Sequence, residues 1–252
     1  MNYQDYGLDF ISNRDFFEHV KETVAKFRSK IGLKEFNKNK IDPIKLVFDS
    51  KIYLRSVDDL ITHEVARQID KSNTNHIGYF HQNIFNYIGE GWQIPKKGWD
   101  IVNESLGIYV EMKNKHNTMN ARSSSDTYRK MQRQLEETPS ATCMLVEVIS
   151  RKSQNVHWNA TVDAKPVCNE QIRRVSIDKF YELVTGDATA FRQLCQQLPK
   201  ALDDAATELQ PSAEVADTVK AELGNFSTDR MHSLFLLAFE GYEGFDNLSS
   251  YE

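Results

Sequence analysis

Residues 96–117 read KKGWDIVNESLGIYVEMKNKHN, and the fold turns on how this stretch is read. Trp99 to Asn103 and Ile108 to Lys113 have strand composition, and Glu104 to Gly107 between them carry turn chemistry. The expected product is strand, tight turn, strand. Side chains alternate faces along a strand. Ile108, Val110 and Met112 therefore fall on one side, which is apolar and suits a core. Tyr109, Glu111 and Lys113 fall on the other. Asp100 lies on the neighbouring strand, where the turn brings its carboxylate toward that of Glu111.

Two clustered carboxylates repel each other, and a protein tolerates this where a cation binds. Oxygen donors favour Mg²⁺, which prefers a few carboxylates, water and substrate phosphate. An ion held there polarises a phosphodiester and acidifies a bound water, while Lys113 orients that water or steadies the developing charge. The expected catalytic set is Asp100, Glu111 and Lys113. The expected metal set is Asp100, Glu111, the Met112 carbonyl and a helical carboxylate, Glu64, with Glu90 behind it. A Glu and a Lys two apart on a strand are by themselves a weak signal, since exposed pairs of this kind are common.

Outward from this hairpin the chain turns basic. Asn114, Lys115, His116, Asn117 and Asn120 leave the second strand, and Arg122, Ser123, Ser124, Ser125, Arg129, Lys130 and Arg133 continue from them. Between Lys113 and Gln134 the net charge is +5, whereas Ala201 to Glu252 carry -9 and the whole chain -5. The acidic tail masks a basic centre able to neutralise phosphates, with binding that weakens as salt rises. Arg151, Lys152, Gln154, Asn155, His157 and Trp158 form a second polar group, and Arg173 with Arg174 a third. These are candidates for DNA contact.

The flanks supply the rest of an α/β sandwich on a mixed sheet. Phe16, Val20, Val24 and Phe27 recur at helical spacing, with Gly32 as a stop. A short strand is expected near Ile44 to Phe48. SVDDLITHEVARQIDKS and HIGYFHQNIFNYIG read as two helices, the first capped by Ser56 and the second ended by Gly89. A helix from Ser125 to Glu137 precedes Pro139. ATCMLVEVIS is a strand buried on both faces. NVHWNATVD and QIRRVSI hold further strands. Helices follow, clearest at Asp187 to Leu198 and Met231 to Phe239. The chain of 252 residues suits one domain: a mostly helical part over 1–60, a catalytic core over 61–180 and a helical part over 181–252.

Several classes are excluded. No apolar run spans a bilayer, and the N-terminus lacks the basic-then-apolar order of a signal peptide, so a cytoplasmic protein is expected. Cys143, Cys168 and Cys195 form no zinc pattern and read as reduced, mostly buried thiols. His81 reads as a packed histidine. Leu234, Phe235, Leu236 and Phe239 read as core, with a dimer surface as the alternative. Gln132 and Gln134 face either the site or solvent.

WDIVNESLGIYVEMKNKHNTMN closely resembles the catalytic segment of the SinI-like type II restriction endonucleases, which cut GGNCC or GGWCC sites. HIGYFHQNIFNYIG, SQNVHWN and RRVSIDKFYELVTGDATAF are similar to that family too, so the resemblance runs from about Ile61 to Leu198. It implies a PD-(D/E)XK fold, a mixed central sheet flanked by helices, with helical N- and C-terminal additions. It also implies a Mg²⁺ cofactor, a homodimer on a short palindrome, and a matching methyltransferase in the host. By position, Asp100, Glu111 and Lys113 match the family's active-site motif, although Trp99 stands where the motif's name has proline. A site with two G·C pairs at each end calls for guanine readers, for which these arginines are suited. Two rivals remain at this point: a structure-specific repair or recombination nuclease of the same fold, and a non-catalytic DNA-binding protein.

Overall fold

The computed structural model describes residues 4–210 and 216–240. In chain order it contains α1 (Asn13–Lys26), β1 (Lys30–Ile31), α2 (Leu33–Phe36), α3 (Pro43–Tyr53), α4 (Val57–Asn83), β2 (Trp92–Gln93), β3 (Ile101–Asn103) and β4 (Ile108–Lys115). Then follow α5 (Ala121–Glu137), β5 (Thr142–Ile149), β6 (Asn155–His157), β7 (Ala160–Val162), β8 (Lys165–Val167), β9 (Ile172–Ser176), α6 (Ile177–Thr185), α7 (Ala190–Leu209), β10 (Ala216–Asp217), α8 (Val219–Leu223) and α9 (Arg230–Ala238). The chain packs as two compact units, residues 1–25 with 77–210 and residues 26–76 with 211–252. The segments thus interleave, where the sequence suggested three consecutive parts of one domain.

The first unit is built on a sheet in the order β2-β3-β4-β5-β9-β6. The pairings β4–β5 and β5–β9 are parallel, and those of β2–β3, β3–β4 and β6–β9 are antiparallel. Strand alternation gives the sheet two apolar faces. Ile108, Val110, Met144, Val146 and Val175 point into a core shared with Phe16, Val20, Phe80, Phe85, Phe180 and Leu194. Cys143, Leu145 and Ile172 point the other way, under Tyr128 and Met131 of α5 and Trp158. The apolar run at Thr142–Ile149 is the central strand and is buried on both faces, as its composition requires.

The second unit has a core of Ile31, Leu33, Phe36, Leu46, Leu60, Ile61, Val65, Ile69, Val219, Leu223, Met231, Leu234 and Phe235. Leu234 and Phe235 are therefore core side chains, and Phe239 packs against them. The parallel pair β1–β10 and helices α2, α3, α8 and α9 belong to this unit.

The structure corrects several local expectations. The stretch at Ile44 to Phe48 is helical: Asp42 caps α3, accepting from the amides of Ile44 and Lys45, and Pro43 fills the first turn, where its missing N–H costs nothing. The two helices expected over 56–89 are largely one, α4, which runs unbroken through the polar residues Asn73–Asn75 as far as Asn83 and tolerates Gly78 in its interior. Helix α5 starts four residues earlier than Ser125, since Asn120 accepts from Ser123 N at 2.9 Å and caps it. Cys143 is buried, but Cys168 and Cys195 are exposed, one beyond β8 and one on the outer side of α7. No helix among the described residues is long and apolar enough to cross a membrane. Residues 241–252, part of the acidic C-terminal stretch, lie outside the described residues.

Candidate active site

The hairpin forms as its alternation demands. Ile101, Val102 and Asn103 pair with Val110, Tyr109 and Ile108. The Asp100 amide donates to the Val110 carbonyl at 3.0 Å, which carries the pairing one residue further and sets Asp100 beside Glu111. Asn103 closes the turn: its Oδ1 accepts from Ser105 Oγ and Leu106 N, and its Nδ2 donates to the Glu90 carbonyl at 2.9 Å.

Each acidic side chain is held by a specific partner. Asp100 Oδ2 accepts from the Met112 amide at 2.7 Å, and its carbonyl accepts from Gln82 Nε2 at 2.9 Å. Glu111 Oε1 accepts from Lys113 Nζ at 2.7 Å, and its Oε2 from Lys130 Nζ at 2.6 Å. Lys130 also donates to the Gly98 carbonyl at 2.6 Å and lies 4.1 Å from the centre of the Trp99 ring. Gln134, one turn on in α5, accepts from Trp99 Nε1 at 3.0 Å. Gln134 thus faces the site, while Gln132 lines a groove with Asp126, Arg129, Arg133 and Glu136.

The electrostatics split the pair. Burial, and then the charge of Glu111, push the Asp100 carboxyl above its ordinary range despite the Met112 amide. Burial also pushes Glu111 upward, but Lys113 and Lys130 outweigh it and hold this carboxyl below its ordinary range. Two carboxylates with oxygen donors, one of them disfavoured as an anion by its surroundings, form a donor set suited to a hard divalent cation.

Of the other candidate ligands, Glu64 belongs to the second unit, where its carboxylate is taken by Arg67 at 2.6 and 2.7 Å and by Gln68 at 2.9 Å. Glu90 is exposed beside β2. Among the described residues, no group of three or more His, Cys, Asp or Glu side chains gathers to hold a metal.

The basic candidates separate into exposed and engaged. Lys115, Asn117, Arg122, Arg133, Lys152 and His157 are exposed, and Asn114 is half-buried. Asn120 is used as a helix cap, and Arg129 is paired with Asp126 and Asp163. Asn155 accepts from Arg173 Nε at 2.6 Å. Gln154 Nε2 donates to Ser150 Oγ at 3.2 Å. Adjacent arginines part company by alternation: Arg174, two residues from buried Ile172, lies on the face of Glu111 and Lys113, and Arg173 lies on the other. Among the described residues His81 Nδ1 is buried without a hydrogen-bond partner, and burial with nearby His19 pushes its imidazole down to about 4.

Sequence reasoning placed Lys130 with the phosphate contacts and did not join it to Glu111. Spacing carries no signal for that pair, because the helix reaches back over the hairpin. It also passed over Glu147, an acid inside the most apolar strand, whose setting is the signal that finds it.

A mixed sheet in which β4 carries Glu111 and Lys113 on one face, beside Asp100 from the residue before β3, defines a restriction-endonuclease-like fold of the PD-(D/E)XK type. The profile of the Eco47II restriction endonuclease family matches residues 8–207. The chain is 34% identical over 210 residues to the type II restriction enzyme Sau96I of Staphylococcus aureus, covering 78% of this chain and 80% of that one. It is 32% identical over 209 residues to the type II restriction enzyme Eco47II of Escherichia coli, covering 78% and 87%. The chain belongs to the Eco47II restriction endonuclease family.

Proposed function

We propose that this type II restriction endonuclease hydrolyses duplex DNA at a short GGNCC-like palindrome, with Asp100, Glu111 and Lys113 as its catalytic residues and Mg²⁺ as its cofactor. The observation that carries the reading is the convergence of two carboxylates, from β4 and from the residue before β3, beside two ammonium groups on Glu111. Asp100 and Glu111 would hold the ion, with the Met112 carbonyl as a further ligand. A divalent ion bound there supplies charge neutralisation and an acidified water. The protein's share is positional. The Met112 amide and Gln82 fix Asp100, so its carboxylate is aimed before substrate arrives. Lys113 donates to the attacking water or to a non-bridging phosphate oxygen. Water adds to phosphorus opposite the departing sugar oxygen and gives up its proton to solvent, while the bond to the sugar oxygen breaks and that oxygen takes a proton from solvent.

One copy carries one such site and so cuts one strand. A palindrome cut in both strands therefore calls for two copies related by a two-fold axis. Lys115, Arg122, Arg133 and Lys152 offer exposed charge for phosphates, with Asn114, Asn117 and His157 as polar contacts. An enzyme of this kind works in the cytoplasm with a methyltransferase that protects the host's own sites. Digestion of a sequenced plasmid with Mg²⁺, followed by end mapping, tests the reading. Discrete bands with ends at GGNCC-like sites are expected. Uncut plasmid, or ends without a common sequence, would overturn it.

A further inference from the structure

Glu147 is fully buried in β5, the central strand, and its neighbours Val146 and Leu145 are buried with it. A carboxylate in such a place is tolerated only when paired and hydrogen-bonded. Its partner is Arg174 on β9, which donates from Nε to Oε2 at 3.0 Å and from Nη2 to Oε1 at 2.5 Å. Ser150 Oγ adds a bond to Oε2 at 3.3 Å. Arg174 Nη2 also donates to the His116 carbonyl at 3.3 Å, where the chain leaves the catalytic strand. The anion is thus wholly inside, yet the arginine side chain is 31% exposed.

The register places this cation with the catalytic centre. Glu111 pairs with Leu145, and Leu145 with Arg174, so Glu111 and Arg174 lie in one row across the sheet on one face. Lys113 pairs with Glu147 in the next row. Two strand spacings separate Glu111 from Arg174, about 10 Å. That distance is of the order of the separation between one phosphate and a near neighbour along one DNA strand. With Nε and Nη2 committed to the carboxylate, the fork has a fixed direction and Nη1 remains for a ligand. Apolar residues of similar volume often fill such a place with equal stability, so the pair is better explained by what it presents than by what it holds together.

We infer that Arg174 contacts a DNA backbone phosphate flanking the scissile one, and that Glu147 is the positioning residue that fixes its guanidinium there. The inference rests on the nuclease reading. The test uses the full-length protein and a duplex carrying the mapped cleavage site. Affinity is measured in Ca²⁺ over a range of salt, single-turnover cleavage in Mg²⁺, and melting temperature alongside. The double variant Glu147→Leu/Arg174→Met keeps the volume and removes both charges. It should melt near the wild type, bind about tenfold more weakly, and show a salt slope smaller by about one. Glu147→Gln leaves the arginine charged but less constrained, so the slope should stay and single-turnover cleavage should slow several-fold. A folded double variant with wild-type affinity, slope and cleavage would make the pair purely structural. Should the double variant not fold, unchanged affinity and cleavage in Glu147→Gln would overturn the inference. A wild-type protein that neither binds nor cuts duplex DNA defeats the nuclease reading itself, before any variant is compared.

Discussion

Lys130 of α5 reaches the Oε2 atom of Glu111 at 2.6 Å, opposite Lys113 on Oε1 at 2.7 Å, so both oxygens of this carboxylate carry an ammonium. A metal ion must share or displace one of them. Like charges at this range repel strongly in a half-buried site. Lys130→Met keeps the length of the side chain and its contact with Trp99 but removes the charge. It should raise the affinity for Mn²⁺ or Mg²⁺ several-fold in calorimetric titration without DNA. Weaker ion binding in that variant would show that Lys130 supports the metal instead of competing with it.

Lys113 is assigned to the reacting water or phosphate, not to DNA affinity. Lys113→Ala should bind duplex DNA in Ca²⁺ within a few-fold of wild type while single-turnover cleavage falls by about 100-fold or more, the usual range for a positioned proton or charge partner. Cleavage near the wild-type rate would remove Lys113 from the mechanism.

The hairpin turn depends on buried Asn103, whose amide makes three hydrogen bonds. Asn103→Ala leaves the Leu106 amide and the Glu90 carbonyl without this partner. The cost should be about 2–3 kcal/mol, a fall in melting temperature of about 5–10 °C for a chain of this size. Thermal unfolding followed by circular dichroism measures it, and a change of under a degree would mean that the turn closes without Asn103.

His81 gives the stability a pH dependence in the acid range. The unfolded chain takes up this proton near the ordinary value of 6.5, while the folded imidazole resists it down to about 4. Between those values the unfolded state binds more protons, so stability is full above the upper value and falls as pH drops through the window. The complete loss is on the order of 3 kcal/mol. Denaturant unfolding of wild type and His81→Phe at intervals across this window should show a flatter acid limb in the variant. Parallel limbs would place the acid sensitivity elsewhere.

The parts of the fold set by local periodicity were legible in the chain. Alternation in Ile108–Lys115 gave the strand of Glu111 and its two faces, and the mostly apolar run at Thr142–Ile149 gave a strand buried on both faces. Capping chemistry was legible but misweighed. Asp42 and Pro43 start a helix in a segment whose apolar residues also suit a strand, and Asn120 starts α5 before its apolar pattern begins. Long-range pairing was not legible. Lys130 meets Glu111, and Arg174 meets Glu147, only because α5 and β9 return to the sheet, and neither spacing has a local signature. The interleaving of residues 26–76 with 211–252 was hidden for the same reason. Described residues of both segments bury apolar side chains in one core, and an apolar side chain does not name its partner.

In the proposed mechanism Asp100 and Glu111 act together on one divalent ion. The most direct test is single-turnover cleavage of a mapped site by Glu111→Gln in Mg²⁺, with duplex binding followed in parallel. Glutamine keeps the size of the side chain and loses the charge that would hold the ion. Binding within a few-fold of wild type, with cleavage lower by about 100-fold or more, is the predicted result. Cleavage at the wild-type rate would contradict the account.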